Sequence, residues 1–278
     1  MSNQSAGTRV HEVNEAARKV LERGGHAVIA TIAQAGESSL LVGAKLLVRD
    51  STERVGTLGD AGLDQAVASH APAFLQSRDE ARALKVREFA TALAPFADVN
   101  ILFERIEAEP RLVIAGAGHV GASLARLAAL AGYHVTLIDD RGEFVDRKSF
   151  TNKSEEAIEL VAATDWQDAM RDAIGNGKGV SVAIVARGHK QDEECLSAAI
   201  AARPDYVGMI GSKRRTNIVL EKLREEGADE KELRKVRAPI GLDIGAVSPE
   251  EVALSTLAEI VAERRGGSGA PLSSWRRN

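Results

Sequence analysis

The chain has 278 residues, a length that favours two domains, each large enough to bury a hydrophobic core. Its 36 basic and 40 acidic residues nearly balance, which argues against a nucleic-acid-binding protein, and its single cysteine, Cys195, excludes internal disulfides and cysteine-only metal clusters. No apolar run approaches the roughly 18 residues of a membrane span, and residues 1–8 lack the apolar core of a signal peptide, so we expect a cytoplasmic protein.

The first 109 residues mix helical and strand-like patterns, which predicts a small α+β domain. Helices are expected over residues 10–23 and 63–70. Runs rich in β-branched residues predict strands over residues 27–32, 44–48, 54–58 and 99–103. The alanine-rich stretch 71–95 has no clear period. The short charged segment that closes with Pro110 marks the boundary between residues 1–109 and the next domain.

Residues 110–265 alternate strands with helices, which predicts a Rossmann-like parallel sheet and an α/β fold class for the chain. The predicted strands cover residues 112–115, 134–139, 158–162, 180–186 and 206–210. The predicted helices include residues 122–131, 166–174 and 216–226, one that ends near residue 202, and a last one capped by Ser248 and Glu251. After two glycines that stop the last helix, residues 266–278 are expected to form a disordered tail.

A glycine-rich turn joins the first two strands of this second domain. Residues 116–121 read G-A-G-H-V-G, and Asp139 ends the next strand 23 residues after Gly116. Gly116 permits a sharp turn, Gly118 leaves room for a phosphate at the backbone, and Gly121 lets the helix pack against the strand. The helix N-terminus favours an anion, and Asp139 is placed to accept hydrogen bonds from a ribose. The alternative is that the glycines only pack the strand–helix–strand unit and bind no dinucleotide.

Four segments are expected at the carboxyl edge of the parallel sheet, where ligands bind in such folds. They cover residues 116–121, 139–141, 187–192 and 211–214. Their anion donors, acids and bases suit a ligand with a phosphate and a polar head group. His189 is placed to donate to a ligand or to act as an acid or base, and its alternative role is to cap the following helix. His119 is placed to bond a phosphate or simply to fill the first helical turn.

Three further candidates for ligand binding lie in these segments: Arg141, Asp192 and Gly211. Ser212 is placed to bind a phosphate, although capping of the following helix is the commoner use of such a serine. The basic run at residues 213–215 reads as solvated surface. Cys195 lies in the run D-E-E-C-L and reads as a buried or neutral cysteine, because nothing nearby would lower its pKa. No catalytic triad can be assembled from the sequence.

Six motifs of the second domain resemble, in order and spacing, the C-terminal domain of the XdhC/CoxI/CoxF family. They are G-A-G-H-V-G at 116–121, I-D-D-R at 138–141, R-G-H-K at 187–190, Y-V-G-M-I-G-S at 206–212, A-P-I-G-L-D-I-G at 238–245 and P-E-E-V-A-L-S at 249–255. The resemblance implies a maturation factor for molybdenum hydroxylases, such as xanthine dehydrogenase and CO dehydrogenase. Such a factor binds molybdenum cofactor, protects it during sulfuration and helps to insert it into the apo-enzyme.

The first domain resembles the family less closely. The family usually carries G-S-S-P-R-x-x-G-A, whereas residues 37–44 read E-S-S-L-L-V-G-A, without the proline and the arginine. The family also usually has G-T-I-G-G-G-C-x-E, whereas residues 56–64 read G-T-L-G-D-A-G-L-D, with Gly62 at the cysteine position. These departures argue against the usual cofactor contacts from this domain and are consistent with a divergent, CoxF-like branch.

The resemblance implies molybdenum cofactor, as molybdopterin or its dinucleotide form, as the ligand, and a molybdenum hydroxylase apo-enzyme as the partner. We expect an accessory protein rather than a stand-alone enzyme, and a homodimer is a further expectation. The acidic neighbours of Cys195 should raise its pKa, so we expect sulfur to come from a cysteine desulfurase or another maturation factor. Two other functions stay open, an NAD(P)-dependent oxidoreductase and a nucleotide-sensing regulatory module.

Overall fold

The structure is a computed structural model that describes residues 2–49, 53–77 and 79–273. The chain divides into two compact units, Met1–Ala108 and Glu109–Asn278. Residues 274–278 of the expected disordered tail lie outside the described residues. None of the helices in the described part is long and apolar enough to cross a membrane.

The first unit is a five-stranded antiparallel sheet with helices against it. Its strands are β1 (His26–Gln34), β2 (Lys45–Val48), β3 (Arg54–Gly56), β4 (Ala81–Lys85) and β5 (Asn100–Glu107). They lie in the order β3-β2-β1-β5-β4. Its helices are α1 (Ser2–Glu22), α2 (Ala61–Gln76) and the short α3 (Val86–Phe89). Successive side chains of β1 point to opposite faces, so Val28 and Ala30 pack in the core with α2 while Ala27 and Ile29 pack with α1.

The helix α2 is longer than the sequence predicted, although Pro72 lies inside it. Ala71 and Phe74 are buried in the same core as Leu63, so burial of this face continues beyond the predicted end of the helix. The unassigned stretch 71–95 therefore contains the end of α2 and the edge strand β4, followed by the short α3.

The second unit is a five-stranded parallel sheet, which confirms the predicted Rossmann-like fold. Its strands are β6 (Arg111–Ala115), β7 (His134–Asp139), β8 (Ile158–Ala162), β9 (Val180–Ile184) and β10 (Tyr206–Met209), in the order β10-β9-β6-β7-β8. Its helices are α4 (His119–Leu130), α5 (Trp166–Ile174), α6 (His189–Ala202), α7 (Lys213–Glu225), α8 (Glu230–Leu233) and α9 (Pro249–Arg265). The near-continuous apolar strands reflect burial on both faces, with α4 and α9 on one face and α5, α6 and α7 on the other.

The strand order reverses at β6, which positions the functional edge. The chain passes from β6 to β7 on one side, whereas β9 pairs with β6 on the other side. The helices that follow β6 and β9 cover opposite faces of the sheet. In open parallel sheets this reversal leaves a crevice outside the carboxyl ends of the two strands, and ligands bind there.

Candidate functional site at the carboxyl edge of the parallel sheet

Two of the three glycines of the G-A-G-H-V-G motif, Gly116 in the turn after β6 and Gly121 in the first turn of α4, are required by close backbone packing. Gly116 has a φ of +109°, and a Cβ on this residue would lie 2.9 Å from the backbone of Ala186, after β9. A Cβ on Gly121 would lie 1.8 Å from the carbonyl oxygen of Gly116. These contacts bring α4 and the loop after β9 closely against the turn.

The third glycine, Gly118, has room for a side chain. It is the N-cap residue of α4 with a φ of −65°, a value that any residue adopts. A Cβ on Gly118 would have Nε of Arg187, at 3.9 Å, as its nearest contact. The fold therefore does not require glycine at this position, whereas a phosphate near the start of the helix would. His119 begins α4 beside it and is exposed.

Arg187 also belongs to this site, although it was not among the site residues predicted from the sequence. It follows β9, it is exposed, and its Nε lies 3.9 Å from the position that a Cβ on Gly118 would take. Within residues 2–49, 53–77 and 79–273, its guanidinium forms no hydrogen bond or ion pair. A free cation beside the open start of α4 favours an anion between them. The feature of the sequence that could have indicated Arg187 is its position directly after a buried strand.

Asp139 is the last residue of β7, and its buried carboxylate accepts hydrogen bonds from donors within the protein. Its Oδ2 accepts hydrogen bonds from the amide of Ala117 at 2.7 Å and from Nη2 of Arg141 at 2.9 Å. Its Oδ1 accepts from the amide and Nε of Arg141, at 3.0 and 2.8 Å. Burial would raise the pKa of Asp139, but the hydrogen bonds from Arg141 and Ala117 outweigh it and hold the pKa below its ordinary value. A ribose hydroxyl would have to displace one of these donors.

Asp192 lies in the first turns of α6 and is fully buried. Its Oδ2 accepts from Nε of Arg215 at 2.7 Å, and Arg215 also donates to the carbonyl of Ala186 at 3.5 Å. Burial raises the pKa of Asp192, and Arg215 opposes that rise only in part. Its Oδ1 has no hydrogen-bond partner in the part of the chain that the structure describes.

The prediction that residues 213–215 are solvated surface is wrong for the last of them. Lys213 and Arg214 are exposed, but the Arg215 side chain is only 26% exposed because it crosses from α7 to Asp192. The sequence alone did not place Asp192 and Arg215 together, since they belong to different helices.

The start of α7 is fixed by the serine that the sequence flagged. Gly211, with a φ of +152°, precedes Ser212, and the Ser212 hydroxyl accepts from the amide of Arg215 at 3.3 Å. Ser212 therefore caps α7, and the helix begins at Lys213 instead of near residue 216.

His189 is the first residue of α6, where it is exposed and electrostatically favours the charged form of Asp192.

The loops that follow β6, β7, β9 and β10 form one connected row along the edge of the sheet. Ala117 bonds to Asp139, Arg187 lies beside Gly118, and Arg215 reaches Ala186. Asp139 is the last residue of β7, and the other predicted site residues lie in these loops or in the first turns of the helices that follow them. Whether they bind one ligand stays a prediction.

Cys195 is buried on the α6 side of the sheet. Burial raises the pKa of its thiol far above the ordinary range, and the charges of Asp192, Glu194 and Asp140 raise it further. A thiol in this setting is a poor nucleophile and a poor sulfur carrier. In the described part of the chain, no group of three or more histidine, cysteine or acidic side chains is arranged to hold a metal ion.

The divergent motif of the first unit forms the start of α2. Asp60 caps the helix by accepting from the amide of Leu63 at 2.9 Å, and Asp64 accepts from the amide of Leu58 at 2.7 Å. A Cβ on Gly62 would lie 3.1 Å from Oδ1 of Asp60. The carboxylates thus organise this turn without a cysteine at position 62.

A cavity of about 260 Å³ lies away from the candidate site, beside Asp205 and Tyr206 at the amino end of β10. Three cations line it, and each has an acidic partner: Arg234 with Glu230, Lys235 with Glu232, and Arg237 with Glu263. None of the predicted site residues belongs to this cavity.

Comparison with known proteins identifies the family. Residues 112–260 match the XdhC Rossmann domain, and residues 11–87 match the XdhC and CoxI family. The chain therefore belongs to the XdhC/CoxI family, which confirms the resemblance seen in its motifs.

Three individual proteins match parts of the chain at 28%, 31% and 32% sequence identity. The chain is 28% identical over 232 residues to the uncharacterized protein YqeB of Escherichia coli, covering 81% of the chain and 41% of that protein. It is 31% identical over 173 residues to a probable xanthine dehydrogenase subunit of Bacillus subtilis, covering 60% and 46%. It is 32% identical over 111 residues to the molybdenum cofactor insertion chaperone PaoD of Escherichia coli, covering 38% and 35%. These alignments span less than half the length of each relative.

Among solved structures, the fold resembles the crystal structure of a xanthine dehydrogenase from Bacillus halodurans. The TM-score is 0.62 at 20% sequence identity, over 91% of this chain and 66% of that chain. At this identity the likeness shows a shared fold and nothing about activity.

Proposed function

We propose that this member of the XdhC/CoxI family is an accessory protein that binds molybdenum cofactor at the carboxyl edge of its parallel sheet and delivers it to a molybdenum hydroxylase. The observation that carries the proposal is the unobstructed backbone at Gly118, between the start of α4 and the Arg187 guanidinium, which has no partner among the described residues. The names of two relatives, the insertion chaperone PaoD and the probable xanthine dehydrogenase subunit, support a cofactor cargo and a client of this class.

The residues at this edge fit the anionic part of such a cargo. Molybdopterin carries a phosphate, and its dinucleotide form carries a pyrophosphate. The amides at the start of α4 would bind these oxygens, Gly118 would let them approach the backbone, and Arg187 would neutralise their charge. The cofactor supplies the metal chemistry of the client enzyme, and the role of this chain is to bind and orient it.

An NAD(P)-dependent oxidoreductase is the alternative, and the arrangement at Asp139 disfavours its NAD form. The acid at the end of the second Rossmann strand usually accepts hydrogen bonds from the ribose of NAD. Here Arg141 and Ala117 fill the acceptor positions of that carboxylate. We therefore favour a ligand that is recognised chiefly through its phosphate.

Sulfur for the cofactor would come from another protein. Cys195 is buried, its pKa is raised, and Gly62 stands where the motif of the resembled family carries a cysteine. A cysteine desulfurase or a further maturation factor is the proposed donor. The homodimer stays a prediction.

The test is a binding comparison with purified protein. Molybdenum cofactor released anaerobically from a molybdoenzyme, NAD⁺ and NADP⁺ are titrated into the wild type, Gly118→Val and Gly267→Val. Gly267 serves as the control because it follows α9 at the opposite edge of the sheet. In the last turn of α9, Arg264 lies over the ring of Tyr133, the residue just before β7. We expect cofactor binding that weakens at least roughly tenfold in Gly118→Val and is unchanged in Gly267→Val, since filling the phosphate space removes several charge-assisted hydrogen bonds. Tighter binding of NAD(P) than of the cofactor, or full affinity in folded Gly118→Val, would overturn the proposal.

A further inference from the structure

Arg141 and Phe144 form a flat, fixed surface at the carboxyl end of β7. We propose that this pair, called here the stacking platform, binds the planar heteroaromatic ring of the ligand, a pterin or a nucleobase. The inference rests on the proposed function and adds to it a recognition element for the ring, separate from the phosphate subsite at Gly118.

The plane of the Arg141 guanidinium is fixed by Asp139. Nε and Nη2 donate in parallel to the two oxygens of that carboxylate, at 2.8 and 2.9 Å. The Asp139 side chain is only 2% exposed, and Oδ2 is also held by the amide of Ala117. A two-point bond to a buried and immobile carboxylate leaves the guanidinium little freedom to rotate.

Phe144 supports one face of the guanidinium. The central carbon of the Arg141 guanidinium lies 3.9 Å from the centroid of the Phe144 ring, and Phe144 packs against the buried core on the α4 side of the sheet. One edge of the guanidinium is thus bonded and one face is covered. The Arg141 side chain nevertheless remains 35% exposed. We infer that the second face is the part of this exposed surface that a ligand would contact.

The platform lies where the ring of a dinucleotide-like ligand would extend. In this fold the pyrophosphate sits at the start of the first helix, and the nucleoside half extends toward the end of the second strand. The Ala117 to Asp139 hydrogen bond joins those two positions directly. Arginine planes stack on bases and on other flat heterocycles. Asp139 then acts as a positioning residue for Arg141 and does not contact ribose.

A second arginine–phenylalanine pair in the same unit provides a matched control. Arg126 of α4 lies with its central guanidinium carbon 4.8 Å from the Phe150 ring centroid, and its Nε is 3.1 Å from Oε1 of the buried Glu155. It reproduces the arginine, carboxylate and phenylalanine of the platform. It belongs to α4 beyond the first turn, whereas the platform lies in the loop after β7.

The experiment separates ring binding from phosphate binding. GDP and inorganic pyrophosphate are titrated by calorimetry into the wild type, Arg141→Lys, Phe144→Leu and Arg126→Lys. Arg141→Lys keeps the charge but loses the plane, and Phe144→Leu keeps Arg141 but removes the ring beneath it. We expect the preference for GDP over pyrophosphate to fall roughly tenfold in Arg141→Lys and severalfold in Phe144→Leu, a size typical of one lost stacking contact. Arg126→Lys should keep the wild-type preference, and thermal melting verifies that each variant is folded.

The outcomes distinguish the two proposals. Arg187→Gln should weaken GDP and pyrophosphate equally and leave their ratio unchanged, because Arg187 serves the phosphate subsite. An unchanged ratio in folded Arg141→Lys and Phe144→Leu, with pyrophosphate binding intact, overturns the platform and leaves the phosphate subsite standing. If the wild type binds neither probe, the phosphate subsite fails, and the platform that depends on it fails as well.

Discussion

Nε of Arg215 lies 2.7 Å from Oδ2 of Asp192, so a basic side chain of α7 ends on a carboxylate buried in α6. The same arginine donates to the carbonyl of Ala186. One side chain therefore links α7 to α6 and to the loop after β9 at the carboxyl edge of the sheet. The shape of the candidate site depends on this link, because Ala186 packs against the glycine turn at Gly116.

Replacing Arg215 with methionine should destabilise the second unit by roughly 3 kcal/mol at neutral pH, because it leaves the buried Asp192 carboxylate without its cation. Chemical denaturation measures the loss. Arg214→Met, at an exposed neighbouring position, should stay within about 0.5 kcal/mol of the wild type. Equal effects of the two substitutions would show that the pair carries no special stability.

Alanine at two glycines of the G-A-G-H-V-G motif should separate folding from binding. Gly121→Ala places a Cβ 1.8 Å from the Gly116 carbonyl and should destabilise by about 1–3 kcal/mol or more. In Gly118→Ala the nearest described atom to the new Cβ is Nε of Arg187 at 3.9 Å, so the melting temperature should fall by much less than in Gly121→Ala, while the affinity for pyrophosphate falls. A stable Gly121→Ala protein would contradict the packing argument, and full pyrophosphate affinity in Gly118→Ala would contradict the phosphate subsite.

The sequence predicted the parallel sheet well because the signals that indicate its strands and helices depend only on residues close together in the chain. Continuous apolar strands, glycine breakers and the capping box of α9 each act within a few residues, and the capping box at Ser248 is present in the structure. The helix α2 exceeded its prediction because burial of Phe74 in the core stabilises a helix in an alanine-rich stretch that has no clear period in the sequence.

The candidate site was less predictable because its geometry depends on pairs that are distant in sequence. Asp192 with Arg215 and Gly118 with Arg187 meet only after the strands are ordered. No periodicity encodes such pairs. Asp139 illustrates the same limit, since the motif indicated an acid at the strand end but could not show which donors would fill it.

The pKa of Asp139 predicts how stability depends on pH. The folded pKa lies below the unfolded value, which is about 3.9, so the stabilisation is present above that value and is lost as the pH falls through the folded pKa. The unfolding free energy of Asp139→Asn should therefore lie below that of the wild type at pH 7, and the gap should narrow below about pH 4. Denaturation between pH 3 and 7 measures this. Asp243→Asn, at an exposed loop position, provides the control. A gap that stays constant with pH would show that the charge of Asp139 does not stabilise the fold.

The buried thiol of Cys195 should take no part in sulfur transfer. Its raised pKa keeps it protonated at neutral pH, and burial denies access to a persulfide donor. The native protein should react with a thiol reagent only after denaturant is added.

In a strain that lacks the native gene, Cys195→Ser and Cys195→Ala should both restore activity of the client molybdenum hydroxylase to the wild-type level. Alanine is the safer replacement, because a serine hydroxyl in this apolar setting costs about 1–3 kcal/mol unless it finds a partner. Loss of client activity in both variants, with each protein folded and present at normal levels, would give Cys195 the sulfur role that its burial denies.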